Sequence, residues 1–166
     1  MMSDKDVVRV DEAPFDERIP IEQLKGPAKK WFKKKYKDKN NTYKKIVNTN
    51  TGNTIEISGK GIAHTISRAD NIDVIYSMDV LPEMIERMEY AGHFPPNTPK
   101  DGKPVPTNFL GVEKYHTQVQ VRGKLYTAEF VIKMERMGKQ EIGKVGKVRL
   151  YHYNHTFTKG PSERTA

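Results

Sequence analysis

Lys60, His64 and Arg68 stand four residues apart in "SGKGIAHTISRA", Ser58 to Ala69. In a helix that spacing stacks them on one face, with Ile62 and Ile66 turned inward. Cations beside an imidazole favour its neutral form, and neutral imidazole near pH 7 is what a general base requires. A lysine or arginine next to it can hold the charge that develops on a cleaved phosphodiester. Cleaving RNA without a metal takes this set: a base for the 2′-hydroxyl, an acid for the leaving oxygen, a cation for the phosphate. The same spacing also describes an ordinary solvated helix face.

A second polar set lies in "KVRLYHYNHTF", Lys147 to Phe157. Read as an unbulged strand, it puts Val148 and Leu150 on one face and Arg149, Tyr151, Tyr153 and His155 on the other. Arg149 would hold phosphate, Tyr153 would stack a base, and His155 would share proton transfer with His64. Aromatics interleaved with basic residues suit single-stranded RNA, although tyrosines also simply favour strands. His116 is the other candidate partner for His64. His93, at the expected end of a helix, reads as a capping residue. His152 and His155 are three apart, which on a plain strand places them on opposite faces and argues against a metal pair. The chain has no cysteine, no H-E-x-x-H, no G-x-S-x-G and no phosphate-binding P-loop spacing. No metal and no cofactor is expected.

The elements that must position these groups follow from periodicity. "GPAKKWFKKKYKDK" (Gly26–Lys39) reads as a helix with Pro27 in its first turn and Trp31 as a core anchor. Tyr43–Asn48 and Asn53–Ser58 read as a hairpin around Gly52. "KGIAHTISR" and "LPEMIERMEYAG" read as two further helices. "HFPPNTPKDGKPVPTN" is a stiffened loop. "GVEKYHTQVQVRGKLYTAEFVIKMER" alternates, turns near Arg122-Gly123-Lys124 and alternates again, with Tyr126, Ala128, Phe130, Ile132 and Met134 on the buried face. The order is helix, hairpin, two helices, loop, then an antiparallel three-stranded meander, so the expectation is an α+β fold with helices covering one face of an antiparallel sheet. Residues 1–24 read as an extended or disordered arm, 25–157 as one domain, and 158–166 as a disordered tail.

The charge is local. The 166 residues carry a net +8. Ten lysines and one acid, Asp38, fall between Lys25 and Lys45, so the rest of the chain is close to neutral. Such a block points to a polyanion, nucleic acid above all, with Lys33, Lys34 and Lys35 as its central contacts. No apolar run approaches the roughly 18 residues of a membrane span, and the N-terminus lacks the apolar core of a signal peptide. A cytoplasmic protein with no membrane partner is the expectation.

"WFKKKYKDKNNTYKKIVNTNTGNTIEISGKGIAHTIS" together with the closing "VRLYHYNHT" resembles phage-associated nuclease-like domains of the barnase–EndoU–colicin–RelE-like superfamily. Those domains occur as modules of large polyvalent proteins of phages and mobile elements. The resemblance runs from about Lys25 to Phe157. It implies an α+β fold with N-terminal helices packed on one face of a four-stranded antiparallel sheet, and metal-independent endoribonuclease activity in a bacterial host, on RNA or tRNA, with a cognate inhibitor protein as a further partner. It assigns the helix "GKGIAHT" and the polar last strand as site-bearing segments. A non-catalytic nucleic-acid-binding module, and a protein-binding phage inhibitor of a host enzyme, are the rival readings.

Overall fold

The computed structural model describes residues 7–96, 109–137 and 147–158. Three long strands form its spine: β5 (Phe109–Val121), β6 (Lys124–Met137) and β7 (Lys147–Phe157), each antiparallel to the next. Arg122 and Gly123 join β5 to β6 with φ of 51° and 80°. Two left-handed residues give the turn whose twist matches a right-twisted hairpin. Alternate residues bury themselves as the pattern requires: Tyr115, Val119 and Val121 from β5, and Tyr126, Ala128, Phe130 and Ile132 from β6.

Short strands extend this spine on both sides. β1 (Val8–Val10) runs parallel to β5 beside Val119–Val121. β4 (Glu89–Phe94) pairs antiparallel with β5 further along. Beyond β7, β3 (Thr54–Glu56) runs parallel to it and carries β2 (Lys45–Val47) as the outer strand of a hairpin. The result is a seven-stranded mixed sheet curled into a half-barrel. This corrects the expected four-stranded antiparallel sheet with helices on one face. β2 and β3 are the expected hairpin around Gly52, formed by strands of three residues each; β1, β4 and the parallel pairings of β1 and β3 are what periodicity does not register.

Helix α1 (Ile21–Lys35) starts five residues before the expected Gly26. Pro27 therefore lies inside it rather than in its first turn. Leu24, Ala28 and Phe32, spaced by four, are buried and continue to buried Tyr36. That ladder takes the core side, and Trp31 is left 54% exposed with its ring edge-on to Phe15. The expected core anchor is therefore its neighbour Phe32. Helix α2 (Gly59–Arg68) agrees closely with its expected span. A short helix not expected from the pattern, α3 (Ile72–Ser77), and a 3-10 turn, Met78–Val80, follow it. Helix α4 (Leu81–Arg87) is shorter than expected: Met88 is extended, and Glu89–Phe94 leaves the helix to pair with β5. His93 consequently lies in a strand opposite Glu113 and not at a helix end.

Within residues 1–24, the described part begins at 7 and contains β1 and the start of α1. Most of the proline-rich loop and the tail after Thr158 lie outside the described residues. Among the described residues, no helix is long and apolar enough to cross a membrane.

Ile62 and Ile66 of α2 are both 0% exposed. Ile66→Ala should cost about 2–5 kcal/mol in denaturant unfolding, as a core truncation that leaves a cavity. His64→Ala, on the half-buried side of the same helix, should cost far less. A His64→Ala protein that fails to fold would make His64 a core residue.

Candidate functional site

The site begins with the way α2 meets β7. β3 pairs with β7 only at Glu56 and Tyr151, so the strand edge from His152 onward lacks a strand partner there. Helix α2 lies along that edge. Its N-cap Ser58 accepts the Gly61 amide at 2.9 Å and donates its hydroxyl to the His152 carbonyl at 2.9 Å. One turn later, the His155 amide donates to Thr65 Oγ1 at 3.3 Å. Gly61 makes the approach possible: a Cβ there would stand 2.1 Å from the His152 carbonyl oxygen. Helical side chains thus satisfy strand backbone groups that burial would otherwise leave unpaired.

A bulge then reorients the strand. His152 opposes Ile132 and Asn154 opposes Val131, which leaves Tyr153 as the extra residue. The bulge restores the inward direction one residue late. His152 and His155 therefore both point into the core, each 0% exposed. This overturns the opposite-face reading of their spacing, and with it the polar face shared by Arg149, Tyr151, Tyr153 and His155.

Inside, His155 Nε2 meets Ser77 Oγ at 2.9 Å and its Nδ1 meets His152 Nε2 at 3.1 Å. The Ser77 hydroxyl proton goes to the Val74 carbonyl at 2.6 Å. Ser77 must then accept from His155 Nε2–H, and His155 Nδ1 must accept from His152 Nε2–H. The chain of bonds ends at His152 Nδ1, buried with no partner. Burial holds His155 down to about 3, and burial with the neighbouring His155 and His64 holds His152 well below its ordinary value. Both rings stay neutral and structural.

The bulge has the opposite effect on Tyr153 and Asn154. It presents them to α2, where His64 stands. Asn154 Nδ2 lies 3.2 Å from His64 Nδ1, and the His64 and Tyr153 rings are 4.4 Å apart. The Lys133 ammonium, from β6, sits 4.1 Å from the centre of the Tyr153 ring. Burial lowers the His64 pKa, Arg68 and Lys133 lower it further, and a backbone hydrogen bond at Tyr153 opposes them. Lys60, Ala63, His64, Ser67 and Tyr153 line a shallow cleft. The arrangement holds a neutral, half-exposed imidazole in a fixed orientation, with cations on either side.

The remaining expected site residues are distributed around this centre. Lys60 belongs to the cleft, and Arg68 is exposed one turn beyond His64. His155 is separated from the cleft by its burial. His116 is on β5, two strands from β7, with Nε2 3.3 Å from Glu129 Oε2. Arg149 bonds Glu56 Oε2 at 3.0 Å and lies over the Tyr151 ring. At the end of α1, Lys35 bonds Asp79 Oδ1 at 2.6 Å, while Lys34 is exposed and Lys33 half-buried. Helix α1 reaches the site through Lys25, whose ammonium donates to the Ser67 carbonyl at 3.1 Å. Lys133 and Asn154 were missed by the sequence reading. The outward phase of Lys133 was legible from its buried neighbours, but its position over Tyr153 depends on the β6–β7 register and the bulge. Among the described residues, no group of three or more His, Asp or Glu side chains is placed to hold a metal.

Residues 21–151, from the start of α1 into β7, match the sequence model of the family described as large polyvalent protein-associated domain 3. The chain belongs to that family. This bears out the association with large polyvalent proteins; the description of large polyvalent protein-associated domain 3 names no reaction. No curated protein and no solved structure matches the chain.

Proposed function

We propose that this domain binds RNA on the basic surface of α1 and α2 and cleaves it at His64 as a metal-independent endoribonuclease. The setting of His64 supports this reading: a half-exposed imidazole oriented by Asn154 and Tyr153 and kept neutral by burial, Arg68 and Lys133. Such a ring takes the proton of a 2′-hydroxyl. The 2′-oxygen attacks phosphorus, the bond to the 5′-oxygen breaks, and that oxygen leaves with a proton from water. Lys60 and Arg68 hold the phosphate charge as it develops.

The burial of His155 favours a second reading. With both ring nitrogens bonded inside the core, His155 has no free nitrogen to offer a phosphate at the surface. Without a second imidazole the domain would retain RNA and not cut it, as a binding module whose lysines supply the affinity.

Incubation with total RNA in EDTA separates the two. Discrete fragments ending in cyclic phosphate, lost in His64→Ala, are the result expected of the nuclease. Retention without fragments would leave the binding module, and neither retention nor cleavage would remove RNA from the account. If α1 contacts phosphates, the joint reversal of Lys33, Lys34 and Lys35 to Glu should flatten the dependence of RNA affinity on salt, because each phosphate contact releases counterions and the variant makes fewer of them. A slope unchanged by the triple reversal would place the binding surface elsewhere.

A further inference from the structure

A cavity of about 910 Å3 opens on the other side of Arg68. Its size lies within the roughly 300–1,000 Å3 of small-molecule sites. Its walls include the segment before α1 (Glu17, Ile19), the end of α2 (Arg68), the link to α3 (Asp70) and the end of β7 (His155, Phe157). The Phe157 ring is half-buried and stacked on Tyr126 with centroids 4.2 Å apart. Arg68 is the residue common to this cavity and to the helix face of His64. It lies one helical turn from His64, and its charge acts on that ring. Among the described residues, no carboxylate forms an ion pair with it.

We infer that this cavity receives the base of the ribonucleotide whose phosphate is held at Arg68 and His64. The inference rests on the RNA reading above and adds a subsite to it. The charges decide which part of a nucleotide goes where. Asp70 borders the cavity, as does Glu17, whose carboxylate is also 3.6 Å from Arg122 Nη1. The negative charge at Asp70 makes the interior repel phosphate and suit a neutral ring that offers N–H donors. The one cation, Arg68, stands where the cavity meets the α2 face, and the phosphate stays there. Ile19 and Phe157 supply the apolar and aromatic surface on which a base packs. An unpaired nucleotide reaches this position; a base held in a duplex does not, because its faces are already stacked on its neighbours.

The test uses the four ribonucleoside 3′-monophosphates, with inorganic phosphate and ribose 5-phosphate as base-free probes, each titrated into the full chain and followed by amide NMR. Nucleoside monophosphates should shift the amides of Asp70 and Phe157 as well as those of Lys60 to Arg68. The base-free probes should shift only the α2 amides. Ile19→Trp, which fills the cavity from the segment before α1, should weaken nucleoside monophosphate binding at least tenfold and leave phosphate binding unchanged. Phe157→Leu should act in the same direction, and its fold is checked by the same spectra. If nucleosides shift only what phosphate shifts, or bind Ile19→Trp as tightly as the parent, the base subsite is wrong while RNA binding on α2 stands. If no probe shifts α2 and RNA is not retained, the RNA reading and the subsite fall together.

Discussion

Asp73→Ala should destabilise the domain by about 2–4 kcal/mol, the cost of removing a buried carboxylate that accepts from both Arg122 and the Tyr126 hydroxyl. The Asp73 side chain is 1% exposed. It accepts from Arg122 Nε at 2.9 Å, pairs with Arg122 Nη2 at 2.8 Å, and accepts the Tyr126 hydroxyl. Burial and the adjacent carboxylate push the Tyr126 hydroxyl up to about 12, so it remains a donor across the accessible pH range. These bonds tie the first turn of α3 to the β5–β6 turn, which also holds β1 through the Arg122 amide and the Val10 carbonyl at 2.8 Å. Removal of the carboxylate takes the acceptor from the Tyr126 phenol and leaves Arg122, whose side chain is 26% exposed, with its longer pair to Glu17 at 3.6 Å. Denaturant unfolding of Asp73→Ala and Asp73→Asn measures the loss. Asp73→Asn should fall between the parent and Asp73→Ala, because the amide keeps one acceptor. A loss below about 1 kcal/mol in Asp73→Ala would show that the clasp contributes little.

Acid should unfold the domain through the histidine pair. His152 and His155 have folded pKa values depressed below the ordinary 6.5, His155 to about 3. Above pH 6.5 both rings are neutral, folded or unfolded, and stability from this source is flat. Below it the unfolded chain takes up two protons that the folded chain refuses. Stability then falls by about 1.4 kcal/mol per pH unit for each ring, or about 2.7 for the pair, until the folded rings titrate. Two pH units consume roughly 5 kcal/mol, as much as the whole stability of a marginal domain. The unfolding free energy measured between pH 6.5 and 5, above the range where carboxylates dominate, should show a slope near two protons. His155→Gln should reduce that slope toward one proton. A stability independent of pH across this window would mean that the rings already carry protons in the folded state.

Some of this architecture was legible in the residues themselves. The alternation from Gly111 to Met134 gives β5 and β6, and Arg122-Gly123 gives their turn. Ile62 and Ile66 give the buried side of α2, and so the accessible side of His64. Other parts depend on distant pairings. Glu89–Gly92 continues an apparent helix until β5 offers the segment from Glu89 to Phe94 a ladder. Val8–Val10 is too short to carry a period, and its hydrogen bonds come from residues more than a hundred positions later. The bulge at Tyr153 shifts the end of β7 by one phase: the candidate His155 moves into the core, and Asn154, not a candidate, comes forward to meet His64. A single extra residue exchanges an expected catalytic partner for a hydrogen-bonding one. It leaves no trace in the pattern, because "YHYNH" alternates equally well in either phase.

The closeness of Gly61 to the His152 carbonyl has a consequence for solubility. A strand with its amides and carbonyls unpaired is a template for further strands, and identical chains can add to one another along it. From His152 onward, β7 presents no such template, because α2 occupies the position where another strand would bind. A side chain at 61 would push the helix away and uncover that row of hydrogen-bonding groups next to Phe157. Gly61→Val should therefore show its damage first as self-association that rises with protein concentration, seen by light scattering below the unfolding temperature. A variant that merely melts earlier, with no concentration dependence, would mean that the helix does not guard the strand.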